Sequence, residues 1–196
     1  MEPQYRASLH GAGYLLFELK QVIKLKLAGL STVEIRKKVL EENIFQGSKK
    51  SSVKRALTSV IRRAEVIDQK LAELLIEESL ESGKVINLYA IMKTDLLFYE
   101  FMNEVIGEKL RSNNFELEKK DINIFFTVKS EQSEQLANWS ELTLNKLKST
   151  YLLVLFESGI LKERQGNELT RLLIDNQLKE HLKNIGDSKY LQAMGE

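Results

Sequence analysis

Residues 48–63, SKKSSVKRALTSVIRR, contain six basic residues and no acidic one, although the whole chain carries 29 basic and 28 acidic side chains. The basic set is Lys49, Lys50, Lys54, Arg55, Arg62 and Arg63. Lysine and arginine neutralise phosphates, while the hydroxyls of Ser51 and Thr58 allow close approach and can donate hydrogen bonds. The chemistry that this segment predicts is non-covalent binding of a polyanion, in the first place double-stranded DNA.

The apolar residues of the same segment have the spacing of one helical stripe. They are Val53, Ala56, Leu57, Val60, Ile61 and Ala64. At about 100° per residue, the positions opposite the stripe are Ser51, Arg55, Thr58 and Arg62, with Lys54 and Arg63 on its flanks. The pattern therefore predicts a helix that buries its aliphatic side chains and exposes its charge. Ser48, Ser51 or Ser52 can cap this helix, at an end that attracts anions.

A shorter helix is predicted just before the basic one. It begins at STVE, where Ser31 and Glu34 can form a capping box, and runs to about Asn43. The two helices resemble a helix-turn-helix pair, with a turn longer than the usual three or four residues. In the alternative interpretation the basic face is solvated and pairs with the acidic middle of the molecule. Residues 1–63 carry 13 basic and 5 acidic side chains, whereas residues 64–140 carry 8 and 15.

A second candidate DNA-binding region lies between Asp121 and Asp175. Two short helices, a long helix ended by Gly159 and two short strands joined at Gln165-Gly166-Asn167 follow the order of a winged helix. The side chains that this arrangement offers to DNA include Lys146, Lys148 and Arg164. Winged helices also serve as protein–protein modules, so the order of elements alone leaves both roles open.

No catalytic constellation is found in the sequence. The chain has no cysteine, its two histidines, His10 and His181, lie far apart, and HGAGY lacks the further glycine of a dinucleotide loop. Phosphate loops, kinase motifs and nucleophile elbows are also lacking. We therefore expect no enzyme activity, no cofactor, no metal and no small-molecule substrate.

Composition and pattern together predict a mainly all-α protein. A chain of 196 residues with 43% hydrophobic and 29% charged residues is typical of a soluble globular protein. The amino terminus lacks the layout of a signal peptide, and uncharged runs such as VINLYAIM are far shorter than the ~20 apolar residues that span a bilayer. We expect a cytoplasmic protein without membrane contact.

The expected fold has two parts. Residues 1–112 form an N-terminal helical bundle that contains the helix-turn-helix-like pair, with helices at about 69–82, ended by Gly83, at 84–93 and at 95–110. Residues 113–196 form a C-terminal winged-helix-like domain with one short β-hairpin. The boundary is placed at RSNNFELEKKD, which interrupts the helical periodicity. Aromatic residues at helical spacing, among them Phe98, Phe101 and Phe125, are expected in the core.

Five stretches resemble the BrxA family of the bacteriophage exclusion (BREX) defence systems. YRASLHGAG, AGLSTVEIRKKVLEENIFQ and SSVKRALTSVIRR resemble its start, and NWSELTLNKL and LFESGIL resemble its end. The resemblance covers nearly the whole chain. It implies an accessory, non-enzymatic component of a system that methylates host DNA and blocks phage replication. It also implies a mainly helical fold, likened to the RNA-binding antitermination protein NusB.

The partners that the resemblance implies are double-stranded DNA and other BREX components, among them a methyltransferase and an ATPase. It implies no catalytic residues. Two alternatives to DNA binding stay open: a scaffold whose basic third meets an acidic surface on a defence partner, and RNA binding in the manner of NusB.

Overall fold

The structure is a computed structural model that describes residues 5–196. Its α-helices are α1 (Leu16–Leu27), α2 (Thr32–Glu41), α3 (Lys50–Glu65), α4 (Gln69–Glu77), α5 (Leu80–Thr94), α6 (Leu96–Phe101), α7 (Glu108–Arg111), α8 (Lys119–Gln132), α9 (Glu134–Ala137), α10 (Glu141–Ser158), α11 (Asn176–Asn184) and α12 (Ser188–Ala193). A 3₁₀ turn, Ser8–Gly11, precedes α1, and a π-helical turn, Met102–Gly107, joins α6 to α7. The expectation of a mainly helical fold is confirmed.

Helix α5 lies at the centre of the molecule. It contacts α1, α3 and α4 on the N-terminal side, and α6, α10 and α12 beyond it. Every residue of its uncharged run, from Val85 to Met92, is buried. A helix that is apolar on all sides has to be surrounded by other helices, and this run is surrounded by protein.

Helices α1 to α3 pack beside α5 with their apolar stripes inward. Leu19, Val22 and Ile23 of α1 are buried, and α1 packs on α3 and α4. The predicted capping box of α2 is confirmed: the Glu34 amide donates to Ser31 Oγ at 3.4 Å, and the Ser31 amide donates to Glu34 Oε2 at 2.8 Å. Helix α2 contacts α3, and residues 42–49 connect them.

An aromatic cluster joins α6, α8 and α10. The ring of Tyr151 lies 4.9 Å from that of Phe98, 5.2 Å from that of Phe101 and 5.4 Å from that of Phe126, measured between centroids. These aromatic residues are core residues, as the sequence predicts. The break at residues 112–118 is also present, while a domain boundary at 112/113 stays a prediction.

The predicted helix stop at Gly83 is wrong. Helix α4 ends earlier, at Glu77, and Gly83 lies in the first turns of α5. The hydroxyl of Ser79 accepts the amide of Ser82 at 3.2 Å and begins the new helix. A serine N-cap four residues upstream therefore sets the boundary, and the glycine does not.

The predicted β-hairpin is not found. Within residues 5–196, strand-like pairing is limited to isolated bridges, Leu161 with Leu169 and Glu116 with Glu168. The expected second strand, which follows the turn at residues 165–167, forms part of its hydrogen bonds with residues 115–117. The Leu169 amide donates to Phe115 O and the Leu117 amide donates to Asn167 O, both at 2.8 Å. Neither pairing extends far enough to form a strand, so the winged-helix detail is not confirmed. None of the helices in residues 5–196 combines the length and apolar character needed to cross a bilayer.

Gly107 is required by the close approach of α12 to the π-helical turn. A Cβ at this position would lie 2.9 Å from Gln192 O and 3.0 Å from Ala193 O, which is shorter than ordinary van der Waals contact. Both neighbours are backbone atoms, so neither can rotate away.

We predict that Gly107→Ala lowers the free energy of unfolding by about 1–3 kcal/mol, because the added methyl group overpacks this contact. For a chain of this size that corresponds to roughly 2–4 °C in Tm per kcal/mol, measurable by thermal unfolding. Glu108→Ala, at the adjacent exposed position, is the control and should change stability by no more than about 0.5 kcal/mol. Equal Tm values for the two variants would contradict the packing argument.

Candidate nucleic-acid interface

Helix α3 presents the predicted basic face to solvent. Val53, Leu57, Val60 and Ile61 are buried and hold the helix against α1, α2 and α5. The exposed side chains on the opposite side are Lys49, Lys50, Ser51, Lys54, Arg55 and Thr58, and Arg62 is half-exposed. One periodic pattern thus sets both the packing and the position of the charges.

The exposed cations of α3 are not neutralised by carboxylates in the described part of the chain. Lys49, Lys50, Lys54, Arg55 and Arg62 form no ion pair within residues 5–196. In the same range, no ion pair joins a basic residue of the first third to an acidic residue of 64–140. Internal pairing of the basic face with the acidic middle is therefore absent among the described residues.

The hydroxyl groups of α3 are partly engaged within the helix. Thr58 Oγ1 donates to the carbonyl of Lys54 at 3.0 Å, so its proton is already used. The predicted serine cap is wrong: Lys49 occupies the N-cap position and makes no side-chain capping hydrogen bond. Ser51 and Ser52 lie inside the first turn, where their side chains are past the capping position.

Arg63 has to be removed from the predicted binding set, because it is buried with an exposure of 2%. Its Nη1 donates to Tyr14 O at 2.5 Å, and its Nη2 donates to Ala12 O at 3.0 Å and Gly13 O at 2.8 Å. The HGAGY segment, residues 10–14, supplies these carbonyls. Arg63 therefore holds the loop before α1 against α3 and has no access to an external phosphate.

Two polar residues lie near Arg63: Asn87 joins its hydrogen-bond network, and Asp95 acts on it through charge alone. Asn87, the polar residue within the uncharged run of α5, accepts from Arg63 at 3.5 Å and donates to Tyr14 O at 2.7 Å. Asp95 is buried, accepts from the Ser8 hydroxyl, and caps α6 through the Phe98 amide at 3.0 Å. Burial lowers the pKa of Arg63 to about 10, an effect that the charge of Asp95 opposes. Burial likewise raises the pKa of Asp95, whereas its hydrogen bonds lower it.

The C-terminal candidates do not form a comparable face. Lys146 is exposed, but Lys148 Nζ donates to Asn123 Oδ1 at 2.8 Å and lies 5.6 Å from the Phe126 ring centroid. Two positions apart on a helix, these lysines project in nearly opposite directions. Arg164 is exposed on the loop after α10, in a depression that it shares with Glu116.

A depression lies between α3 and the 3₁₀ turn. It has a volume of about 460 Å³, and Lys54, Arg55 and Arg62 line one side while His10 and Gly11 line the other. The 3₁₀ turn contacts both α3 and α10. Among residues 5–196, no group of three or more histidine, cysteine or acidic side chains is arranged to hold a metal ion.

Comparison with known proteins identifies the family of this chain. The family model for BrxA matches residues 3–186. A BREX protein BrxA from Bacillus cereus (strain H3081.97) is 39% identical over 194 residues, which cover 98% of this chain and 97% of that protein. This chain belongs to the BrxA family.

Two more distant proteins are also similar to this chain. A BREX protein BrxA from Paramagnetospirillum magneticum (strain ATCC 700264 / AMB-1) is 21% identical over 193 residues, 98% of this chain and 97% of that protein. The crystal structure of an uncharacterized protein from Magnetospirillum magneticum matches with a TM-score of 0.86 at 20% identity and covers 98% of each chain. The latter likeness shows that the fold is shared.

For this BrxA family member, we predict that Arg63→Ala lowers the free energy of unfolding by roughly 3–5 kcal/mol. The substitution leaves the carbonyls of Ala12 and Gly13 without the Arg63 donor, while Tyr14 O keeps the Asn87 amide. Each unsatisfied buried group costs about 1–3 kcal/mol, and the lost packing of the side chain adds to this cost. Denaturant unfolding measures the loss.

Arg62→Ala is the matched control, since it removes the same side chain one position away from a half-exposed site. Its stability should stay within about 0.5 kcal/mol of the parent protein. If Arg63→Ala were as stable as Arg62→Ala, the buried network would not hold the loop as argued.

Proposed function

We propose that this protein is a non-enzymatic, DNA-binding component of a BREX phage-defence system in the cytoplasm, where host and phage DNA are found. It contacts double-stranded DNA mainly through phosphates, along the exposed face of α3. The observation that supports this proposal best is the row of exposed cations without carboxylate partners among residues 5–196. Family membership supports the role in defence.

The length of α3 suits several phosphate contacts at once. Its 16 residues extend over about 24 Å, and its cations are distributed from the first turn to the last. Each phosphate that a cation neutralises releases condensed counterions, and this release drives binding in a salt-dependent way. Because no set of base-reading side chains is identified, the proposed binding tolerates many sequences. The helix-turn-helix interpretation of α2 and α3 belongs to this proposal.

Lys146, Lys148 and Arg164 have a secondary role in the proposal. Lys148 already binds Asn123, so it has less freedom to reach a phosphate than Lys146 or Arg164. We assign the main affinity to α3 and at most an added contact to the C-terminal residues.

We predict that the double variant Arg55→Ala/Arg62→Ala binds duplex DNA more weakly, with the slope of log K against log salt concentration reduced by about 1.8. The reason is that each lost phosphate contact removes about 0.9 from the slope. Fluorescence anisotropy over a salt series measures both affinity and slope.

The control is Lys24→Ala/Lys183→Ala, which removes the same charge from exposed positions on α1 and α11. It should keep the parental slope, because net charge alone is not what binds DNA. An unchanged slope for Arg55→Ala/Arg62→Ala would contradict the proposal. Preference for single-stranded RNA over duplex DNA in competition would favour the NusB-like alternative instead.

A second function, docking on another BREX component such as the methyltransferase or the ATPase, is favoured by a different surface. A groove of about 420 Å³ lies between the π-helical turn and α8, and its apolar residues Ile124 and Val128 are 58% and 39% exposed. Glu108 stands on the same groove and forms no ion pair within residues 5–196. Two other carboxylates at the groove are paired, Glu104 with Lys129 at 2.7 Å and Asp121 with Lys109 at 2.9 Å. An apolar floor beside an unpaired carboxylate suits a basic, amphipathic segment of a partner protein.

We predict that Ile124→Lys/Val128→Lys abolishes co-purification with the methyltransferase or the ATPase of the same system after nuclease treatment, while DNA binding is kept. Added lysines repel a basic segment and remove its apolar contact. Leu173→Lys, at a residue that is 91% exposed, is the control and should keep the partner. Retention of the identified partner by the double variant would contradict docking at this groove.

A further inference from the structure

The depression beside α3 adjoins two others. Ser8, Ser59 and Arg62 line both the first depression and a second one of only about 10 Å³, which has room for about one water molecule. The second in turn shares Thr94 and Asp95 with a third, which has a volume of about 270 Å³. Common walls therefore connect the basic face of α3 to the region where α5, α6 and α12 meet.

The side chains exposed or half-exposed along these adjoining depressions, here called the track, include six basic residues: Arg6, Lys54, Arg55, Arg62, Lys93 and Lys189. Arg63 also lines the second depression, but it is buried and bonded to backbone carbonyls, so it does not face a ligand. The acidic lining residue is Asp95. Asp95 is 3% exposed, and its oxygens accept from the Ser8 hydroxyl and the Phe98 amide. It presents little negative charge to a ligand in the track.

The third depression supplies free cations at the far end. Arg6 and Lys189 are exposed and form no ion pair within residues 5–196, whereas Lys93 is paired with Asp187 at 2.5 Å. Lys189 Nζ lies 5.4 Å from the Tyr99 ring centroid and 5.1 Å from that of Tyr190. The two rings therefore hold the ammonium group at the wall of the depression.

We propose that the backbone of a bound duplex runs beyond α3 along this track, and that Arg6 and Lys189 contact phosphates at its far end. This inference rests on the proposed function, since it extends the same DNA-binding surface. It assigns to α12 and the segment before the 3₁₀ turn a binding role that their sequence pattern does not indicate.

The test compares Arg6→Ala/Lys189→Ala with the parent protein on a duplex of about two helical turns, roughly 21 base pairs. We expect about tenfold weaker binding and a salt slope lower by about 1.8, from two lost phosphate contacts. The control Lys24→Ala/Lys183→Ala should keep the parental affinity within about twofold. Thermal unfolding should match the parent, since both side chains are exposed.

The outcomes separate this inference from the proposed function. Parental affinity and slope for Arg6→Ala/Lys189→Ala would overturn the track, provided that Arg55→Ala/Arg62→Ala still loses slope. An equal loss of affinity and slope in the control Lys24→Ala/Lys183→Ala would also overturn it, because the effect would then follow net charge. If Arg55→Ala/Arg62→Ala kept the parental slope, the proposed function itself would fail.

Discussion

The buried guanidinium of Arg63 is the interaction on which the arrangement of the N-terminal half depends. Burying a charge is costly unless hydrogen bonds replace its hydration, and here three backbone carbonyls and one side-chain amide do so. The donors of a single side chain thereby connect the segment before α1, helix α3 and helix α5. With Arg63 directed inward, the rotation of α3 about its axis is fixed, and Arg55 and Arg62 remain on the outer side.

Several carboxylates in the middle of the chain bind helix amides or lysines outside α3. This helps to explain how a nearly neutral protein keeps a basic face. Asp68 caps α4 through the Leu71 amide at 2.9 Å, and Asp95 caps α6. Lys129 is 2.8 Å from Glu100 and 2.7 Å from Glu104. Because these carboxylates are bound by amides and lysines near them, the excess of acid in residues 64–140 does not neutralise α3.

Local patterns in the sequence predicted the elements that local interactions stabilise. The capping box at Ser31, the αL glycine that ends α10 at Gly159 and the apolar stripe of α3 depend on residues within one or two turns. Two of the errors have distant causes. Arg63 lies on the flank of the stripe, and periodicity cannot tell whether a flank faces water or a loop that arrives from about fifty residues away. The β-hairpin failed for a similar reason, because residues 115–117 take part of its hydrogen bonding.

The candidate surface shows the same division between local and tertiary determinants. Helical spacing alone is enough to place Arg55 and Thr58 on an exposed face, since both lie opposite the apolar stripe. No spacing rule relates Arg6 to Lys189, because these residues come from the two ends of the chain. Nor does any spacing rule relate either of them to Arg62. These residues line connected depressions because α5 and α6 meet at Asp95, whose capping of α6 and bond to Ser8 bring the 3₁₀ turn to that junction. A basic surface of this kind is therefore a product of the fold, and its extent can be read only after the core has positioned both ends of the chain.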